Sequence, residues 1–337
     1  MSFKENPLIS VIIPNKNDWN FVLCAAKAIK NQSYKNIELI IVDSSSFHSD
    51  NAYFAEELKK LFPLNLTIHQ SKQSFPGKAR NLGAALARGI YIAFMDAKTI
   101  PHQEWLHSYL RDIVSSSSDI NIGRFYSDRD NLNWLQKLIK ANTYGNILRN
   151  SVPGSLLLKT RFLESQGFNE QVGAGEDLEW VNRLRNLKWK INQSPIAAFR
   201  YVGYPNTFIK FLKKWIFYSI ENAKLNVLSM QKSIYLLLLA SFVLYFIYSW
   251  NYIFTNGVWD DSPNFIPNLN TVIWSIIFIA YFILRAIILP LLKKEKLFYI
   301  FPFNWLLIGC IGFLIDILKI PGRIYGIWRI LKSTPDL

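Results

Sequence analysis

Across residues 1–200, short continuous apolar runs alternate with segments whose apolar positions recur at helical spacing. Leu8–Ile13 is the first run, ended by Pro14, and Phe21–Asn31 follows with helical periodicity. Glu38–Val42 is a second run, ended by Asp43 and a cluster of serines. The pattern then predicts a helix over Asn51–Phe62, a strand over Leu64–His69, an Ala-rich helix over Arg80–Arg88 stopped by Gly89, and a strand over Ile90–Met95 ended by Asp96. Strands alternating with helices predict βαβ units and a parallel sheet. Runs apolar at every position predict strands covered on both faces. A helix over Glu104–Val114 runs into four serines, 115–118, read as a loop. Residues 119–200 mix short strands and helices and read as the second half of the same globular unit.

Beyond residue 204 the pattern changes. Phe208–Met230 mixes aromatics with Lys210, Lys213, Lys214 and Lys224, as an amphipathic helix lying in a membrane interface does. Ser233–Phe254 carries no charge, and Thr271–Leu292 is broken only by Arg285 and Pro290. Each is as long as the roughly 20 residues that cross a bilayer core. Leu297–Leu318 is a third apolar run, holding Pro302, Asn304 and Asp316. The loop between the first two runs has Asp260 and Asp261 and no Lys or Arg, whereas the next has Lys293, Lys294 and Lys296. The positive-inside rule places that second loop, and the residues before 233, in the cytoplasm. A third span would put Lys319, Arg323, Arg329 and Lys332 on the other side, against the same rule. Residues 297–318 are therefore expected as a re-entrant or interfacial segment before a basic amphipathic tail, with a third span as the alternative. The expected organisation is a catalytic domain over 1–204 (halves 1–115 and 116–204), an interfacial helix region over 205–232 and a membrane region over 233–337.

Composition supports this division. Half of the 337 residues are hydrophobic and only 18% are charged, below the roughly 25% of soluble domains. The mean hydropathy of +0.11 is high for a soluble chain. With 15 Gly, 14 Pro and 2 Cys, disorder, collagen-like repeats and disulfide scaffolds are excluded. The formal charge of +14 points to anionic partners. No nucleic-acid motif accompanies it, and membrane flanks account for it, so lipid headgroups are expected rather than nucleic acid. No signal peptide is read at the start, and the N-terminal part is expected to stay cytoplasmic.

In an open parallel sheet, ligands bind beyond the carboxyl ends of the strands. Polar clusters stand there three times: Pro14-Asn15-Lys16-Asn17, Asp43-Ser44-Ser45-Ser46 and Asp96-Ala97-Lys98. An Asp after a strand is often only a turn or capping residue; the joint order and spacing is the specific signal. The segments ISVIIPNKN (9–17), LIIVDSSS (39–46), GKARNLGAALARGIYIAFMDAKTIP (77–101), SQGFNE (165–170) and GAGEDLEWVNRLR (173–185) occur in this order. On these segments, from about Ile9 to Arg200, the chain resembles glycosyltransferase family 2, inverting enzymes of the GT-A fold.

The resemblance implies an α/β, Rossmann-like nucleotide-sugar-binding domain followed by a C-terminal helical membrane region. It implies that Pro14, Asn15 and Lys16 line the nucleotide pocket, that Asp43 and Ser44 approach the base or ribose, and that Lys78 and Arg80 contact the donor diphosphate. Asp96, Ala97 and Lys98 match the family's Asp-x-Asp motif, which holds a divalent cation, Mg2+ or Mn2+. Asp177, with Glu176, matches the acidic pair whose Asp is the general base, and Trp180 is expected to form an acceptor platform. Three positions depart from the pattern: Lys16 where Tyr is frequent, Ser44 where a second Asp is frequent, and Lys98 in place of the second acidic ligand. A cation cannot ligate a cation, so Asp96 is the one metal ligand implied. Lys98, with Arg80 and Lys78, would instead supply charge to the leaving nucleoside diphosphate, or would simply pair with Asp96.

The expected function is transfer of a sugar from a nucleotide-sugar donor to a lipid-linked or growing saccharide, in cell-surface polysaccharide assembly at a bacterial inner membrane. A polyprenyl-phosphate glycosyltransferase and a catalytically silent membrane scaffold are the alternatives.

Overall fold

The two most apolar runs lie side by side. In the computed structural model, which describes residues 6–46, 50–72, 74–127, 129–225 and 269–333, β1 (Ile9–Asn15) and β2 (Ile37–Asp43) pair in parallel from Ile9↔Ile37 to Asn15↔Asp43. Every residue of β2 is buried, Glu38 and Asp43 included. Two further strands, β3 (Leu66–Gln70) and β4 (Tyr91–Phe94), extend the parallel half on either side. The crossovers carry α1 (Trp19–Lys30), α2 (Asp50–Leu61) and α3 (Pro76–Leu86). Pro76 opens α3, where its missing N–H would have had no helical partner.

The second half departs from the expected parallel sheet. There, α4 (Trp105–Ser116) leads to β6 (Ile120–Tyr126), and β7 (Arg149–Leu158) runs antiparallel to both β4 and β6. Likewise β5 (Thr99–Pro101) pairs antiparallel with β9 (Phe199–Tyr201), while β8 (Ile191–Gln193) joins β6 in parallel. The mixed sheet reads β3-β2-β1-β4-β7-β6-β9-β5. Apolar runs encode burial, not strand direction.

Under the sheet, Ile12, Val42, Phe94, Leu157, Phe162, Phe168, Trp180 and Leu184 belong to one buried cluster. The Phe94 ring meets Phe162 and Phe168 at 5.2 Å and Trp180 at 6.2 Å. Each such side chain contributes about 1.5–3 kcal/mol through burial. The cluster fastens α6 (Lys159–Glu164) and α7 (Glu176–Asn186) to the parallel half.

The chain divides into two compact units, Met1–Asp130 with Asn146–Tyr204, and Asn131–Gly145 with Pro205–Leu337. The first holds the sheet. The second takes α5 (Trp134–Asn142), opened by a capping box between Asn133 and Gln136, together with α8 (Phe208–Ala223) and the C-terminal helices. Within it, Lys140 and Glu295, both fully buried, pair at 3.2 Å, and the Asn142 side-chain amide donates to the carbonyl of Ile308 at 2.8 Å.

Two stretches among the described residues are helical, long and apolar enough to cross a membrane: Ser275–Leu292, with mean hydropathy 2.4, and Asn304–Gly326, with 1.8. The first coincides with the run expected at 271–292. The expected span 233–254 lies outside the described residues. The run 297–318 is divided into Leu297–Ile300 and Asn304–Ile317, and the second candidate stretch continues past it to Gly326. Arg285, the charge inside the first stretch, pairs with Asp316 of the second at 3.1 Å and donates to the carbonyl of Gly312 at 2.9 Å. Charges within apolar helices are tolerated when paired in this way.

Candidate active site

The parallel strands end on one edge, with Asn15 beside Asp43 and Ile12 beside Phe94. The loops after β1 and β2 are stitched together. Asn15 donates to Asp43 Oδ1 at 2.9 Å, and its own Oδ1 accepts from the Asp18 backbone N–H at 3.2 Å. Ser45 donates to Asp43 Oδ1 at 2.5 Å and accepts from the N–H of Asn17 at 2.6 Å. The Ser44 hydroxyl is spent on the carbonyl of Asn15 at 3.1 Å, so at the family's second Asp position this chain closes the loop with a neutral side chain. Asp43 is fully buried, and its Oδ2 has no hydrogen-bond partner. Leaving a buried acceptor unsatisfied costs about 1–3 kcal/mol, which an N–H or O–H donor entering beside it would recover. Pro14 and Ser44 are half-buried and Lys16 is exposed.

A second cluster joins elements far apart in the chain. From α3, Arg80 donates through Nη2 to Asp96 Oδ1 at 2.8 Å and through Nη1 to Glu176 Oε1 at 2.6 Å. Its guanidinium lies 5.4 Å from the centroid of the Phe168 ring. A planar fork can serve two carboxylates at once where a lysine cannot. Arg80, expected at the donor, is only 3% exposed, with Nη1 and Nη2 bonded to Glu176 and Asp96 and Nε without a hydrogen-bond partner. Lys78, two residues earlier, is half-buried.

Glu176 and Asp177 open α7, after Gly175 at φ +88°. That left-handed turn suits glycine and aims the first helical turn at Arg80. The positive end of the helix favours carboxylates there, and Asp177 Oδ1 accepts from the N–H of Leu178 at 2.8 Å. Burial nevertheless raises the Asp177 carboxyl above the ordinary aspartate range, with the Asp96 charge adding to it and Arg80 opposing it. Burial likewise raises Glu176, against the attraction of Arg80.

Trp180 does not form a platform. It is fully buried, its ring 4.6 Å from that of Phe168, and its indole N–H donates to Ser165 at 2.9 Å. Glu176, Trp180 and Leu184 are the buried residues of α7, spaced by four; Asp177 lies off that stripe.

A third cluster holds residues that motif reading passes over. Lys98 does not meet Asp96. Its ammonium pairs with Asp18 Oδ2 at 2.7 Å and lies 5.7 Å from the Phe21 ring centroid. Tyr201, brought alongside by the Thr99↔Tyr201 pairing, has its phenol pushed well up by burial and then by the charges of Asp96 and Asp18. It stays neutral and donates to the carbonyl of Gly203 at 2.8 Å. Asp18 was detectable as an acidic residue closing the first polar loop; Tyr201 had no local signal.

These residues do not fit a divalent metal of the Asp-x-Asp kind. Asp96 is bound by Arg80 and the next acidic position is Lys98. Among the described residues, no three or more His, Cys, Asp or Glu side chains are grouped to hold an ion.

Residues 10–169 match the family model for glycosyl transferase family 2. Over those residues the chain is similar to a glycosyltransferase family 2 domain. Glycosyltransferase GlyG of Streptococcus pneumoniae serotype 4 is 28% identical over 124 residues, 36% of this chain and 40% of that protein. The minor teichoic acid biosynthesis protein GgaA of Bacillus subtilis is 33% identical over 120 residues, 34% of this chain and 26% of that protein. The chain thus spans less than half the length of either relative. A mannosyltransferase from Pyrobaculum calidifontis, solved with GDP-mannose and Mn2+, superposes with a TM-score of 0.55 at 13% identity, over 97% of this chain and 88% of its own. That likeness is one of fold alone. Glu176 and Asp177 lie just beyond the matched residues 10–169.

Proposed function

We propose that the protein is a membrane-associated, inverting glycosyltransferase that moves a sugar from a nucleotide-sugar donor to a lipid-linked or growing saccharide. The carrying observation is the Arg80 bridge, which ties Asp96 on the donor edge to Glu176 beside Asp177. Asp177 accepts the proton of an acceptor hydroxyl as that oxygen bonds to the anomeric carbon. The bond from that carbon to the diphosphate oxygen breaks on the opposite face, and its electron pair leaves with the nucleoside diphosphate. A carboxylate raised towards neutrality is the stronger base for this step. Asp43 Oδ2 receives an N–H of the base or a hydroxyl of the ribose. The fold shared with a protein solved with GDP-mannose, and the relative named for teichoic acid biosynthesis, are in keeping with a nucleotide-sugar donor and a surface polysaccharide. The test is binding of UDP-, GDP-, dTDP- and CMP-sugars to the detergent-solubilised chain. One donor should bind, and Asp43→Asn should weaken it by roughly tenfold, the value of a hydrogen bond to a charged group. No binding to any of the four would contradict the reading.

Attachment to the membrane is part of the same proposal. On α8, Ile209, Lys213 and Phe217 are exposed at spacings of four with Lys210 beside Ile209, and the Lys214 ammonium lies 5.5 Å from the Tyr218 ring centroid. Apolar and aromatic side chains with lysines beside them suit the headgroup boundary. With the two long apolar stretches, they support a reading in which the protein sits at a bacterial inner membrane with the catalytic domain in the cytoplasm. After cell lysis, the chain should stay in the membrane pellet through an alkaline carbonate wash; release into the supernatant would refute insertion.

A further inference from the structure

We propose that the positive charge facing the donor diphosphate is the ammonium of Lys98, that Asp18 is its counter-ion in the resting site, and that the donor takes the place of Asp18 without a divalent metal. This rests on the nucleotide-sugar reading above. At this edge the Arg80 guanidinium is already engaged. Arg80 is buried with both terminal nitrogens engaged, and Asp96 is held by it. Lys98 stands at the tip of a braced loop. Thr99 Oγ1 donates to the Asp96 carbonyl at 2.5 Å, Ala97 is buried, and the Lys98 carbonyl accepts from Val202 at 3.2 Å. Asp18 is braced from the opposite loop, its N–H bonded to the same Asn15 side chain that donates to Asp43.

The Lys98–Asp18 pair therefore spans the two loops that flank a ligand at the strand ends. Its side chains are 39% and 27% exposed. Pairs of that exposure are weak. A diphosphate, with more charge than one carboxylate and several acceptor oxygens, outcompetes it for the ammonium. A divalent metal held by Asp96 would instead have the Arg80 guanidinium as its neighbour.

The test uses the full chain in lipid nanodiscs, with UDP, GDP and dTDP as probes, titrated by calorimetry in EDTA and in Mn2+. For the wild type, one nucleotide should bind with affinities in the two conditions agreeing to within about twofold. Lys98→Ala should weaken it by roughly ten- to a hundredfold, the worth of a hydrogen bond to a charged group. Asp18→Asn, freeing the ammonium, should tighten it by a few-fold, the scale of an exposed ion pair. Lys98→Asp should bind only with Mn2+ and should deplete the free Mn2+ resonance in a spin spectrum. Both sites are part-exposed, so unchanged melting temperatures would show that the variants are folded. A wild-type requirement for Mn2+, or a Lys98→Ala affinity equal to wild type, would overturn the inference and leave the transferase reading standing. Weakened binding in Asp18→Asn would overturn the exchange. If none of the three nucleotides binds the wild type in either buffer, the nucleoside-diphosphate donor reading fails and this inference with it.

Discussion

Replacing Asp177 by Asn should lower the turnover number by about 10²–10⁴-fold, the usual contribution of a positioned general base, with donor affinity unchanged. The same change should make the folded protein more stable at neutral pH. The fold raises the Asp177 carboxyl above its unfolded value, so it favours the protonated form. The stability that form contributes is complete below the unfolded value near 3.9 and is lost as the pH rises through the raised folded value. Asn mimics the protonated state at every pH. Its melting temperature should exceed that of the wild type at pH 7, and the gap should close on acidification. Wild-type turnover should in turn fall with acid at a pH above the ordinary aspartate range. Full turnover in Asp177→Asn, or a variant less stable at pH 7, would count against the role.

The second large effect belongs to Arg80. Arg80→Met removes one partner of two ion pairs and leaves Glu176 buried beside Asp177 without a cation. Breaking a buried pair from one side costs about 3–5 kcal/mol, or roughly 6–20 °C in melting temperature for a domain of this size. A merely structural role would end there. If Arg80 also holds Asp177 partly ionised, its loss raises that carboxyl further, and the acid limb of the residual turnover moves to higher pH. Arg80→Lys keeps the charge without the fork, so it should melt between the wild type and Arg80→Met and hold its acid limb near the wild-type position. A Met variant as stable as the wild type would refute the bridge.

Much of this architecture was legible in the chain. Apolar runs placed β1, β2 and β4 within a few residues, because strands covered on both faces are apolar at most positions. The second half was not legible to the same degree. The direction of β7 depends on partners far away, and Pro153-Gly154 interrupts its pattern. Residues 131–145 carry an ordinary helical period, and nothing local shows that Lys140 finds Glu295, 155 positions on.

At the site, the residue types and their order were visible, but the pairings were not. Arg80 reads as a donor contact until Asp96 and Glu176, 16 and 96 positions away, claim its fork. Lys98 next to Asp96 invites a local pair, yet braced backbone on both sides sends it to Asp18. Trp180 is the instructive miss. Its four-residue spacing from Glu176 and Leu184 marks a core stripe, and that periodicity should have outweighed its nearness to Asp177.

The most direct test of the account is where the donor sits. Membranes containing the full chain would be photolysed with an azido-nucleotide sugar of the base found to bind, and the labelled peptides mapped. The account predicts label in the loops at 14–18, 43–46 and 96–98, competed away by unlabelled donor. Competable label confined to other segments would contradict it.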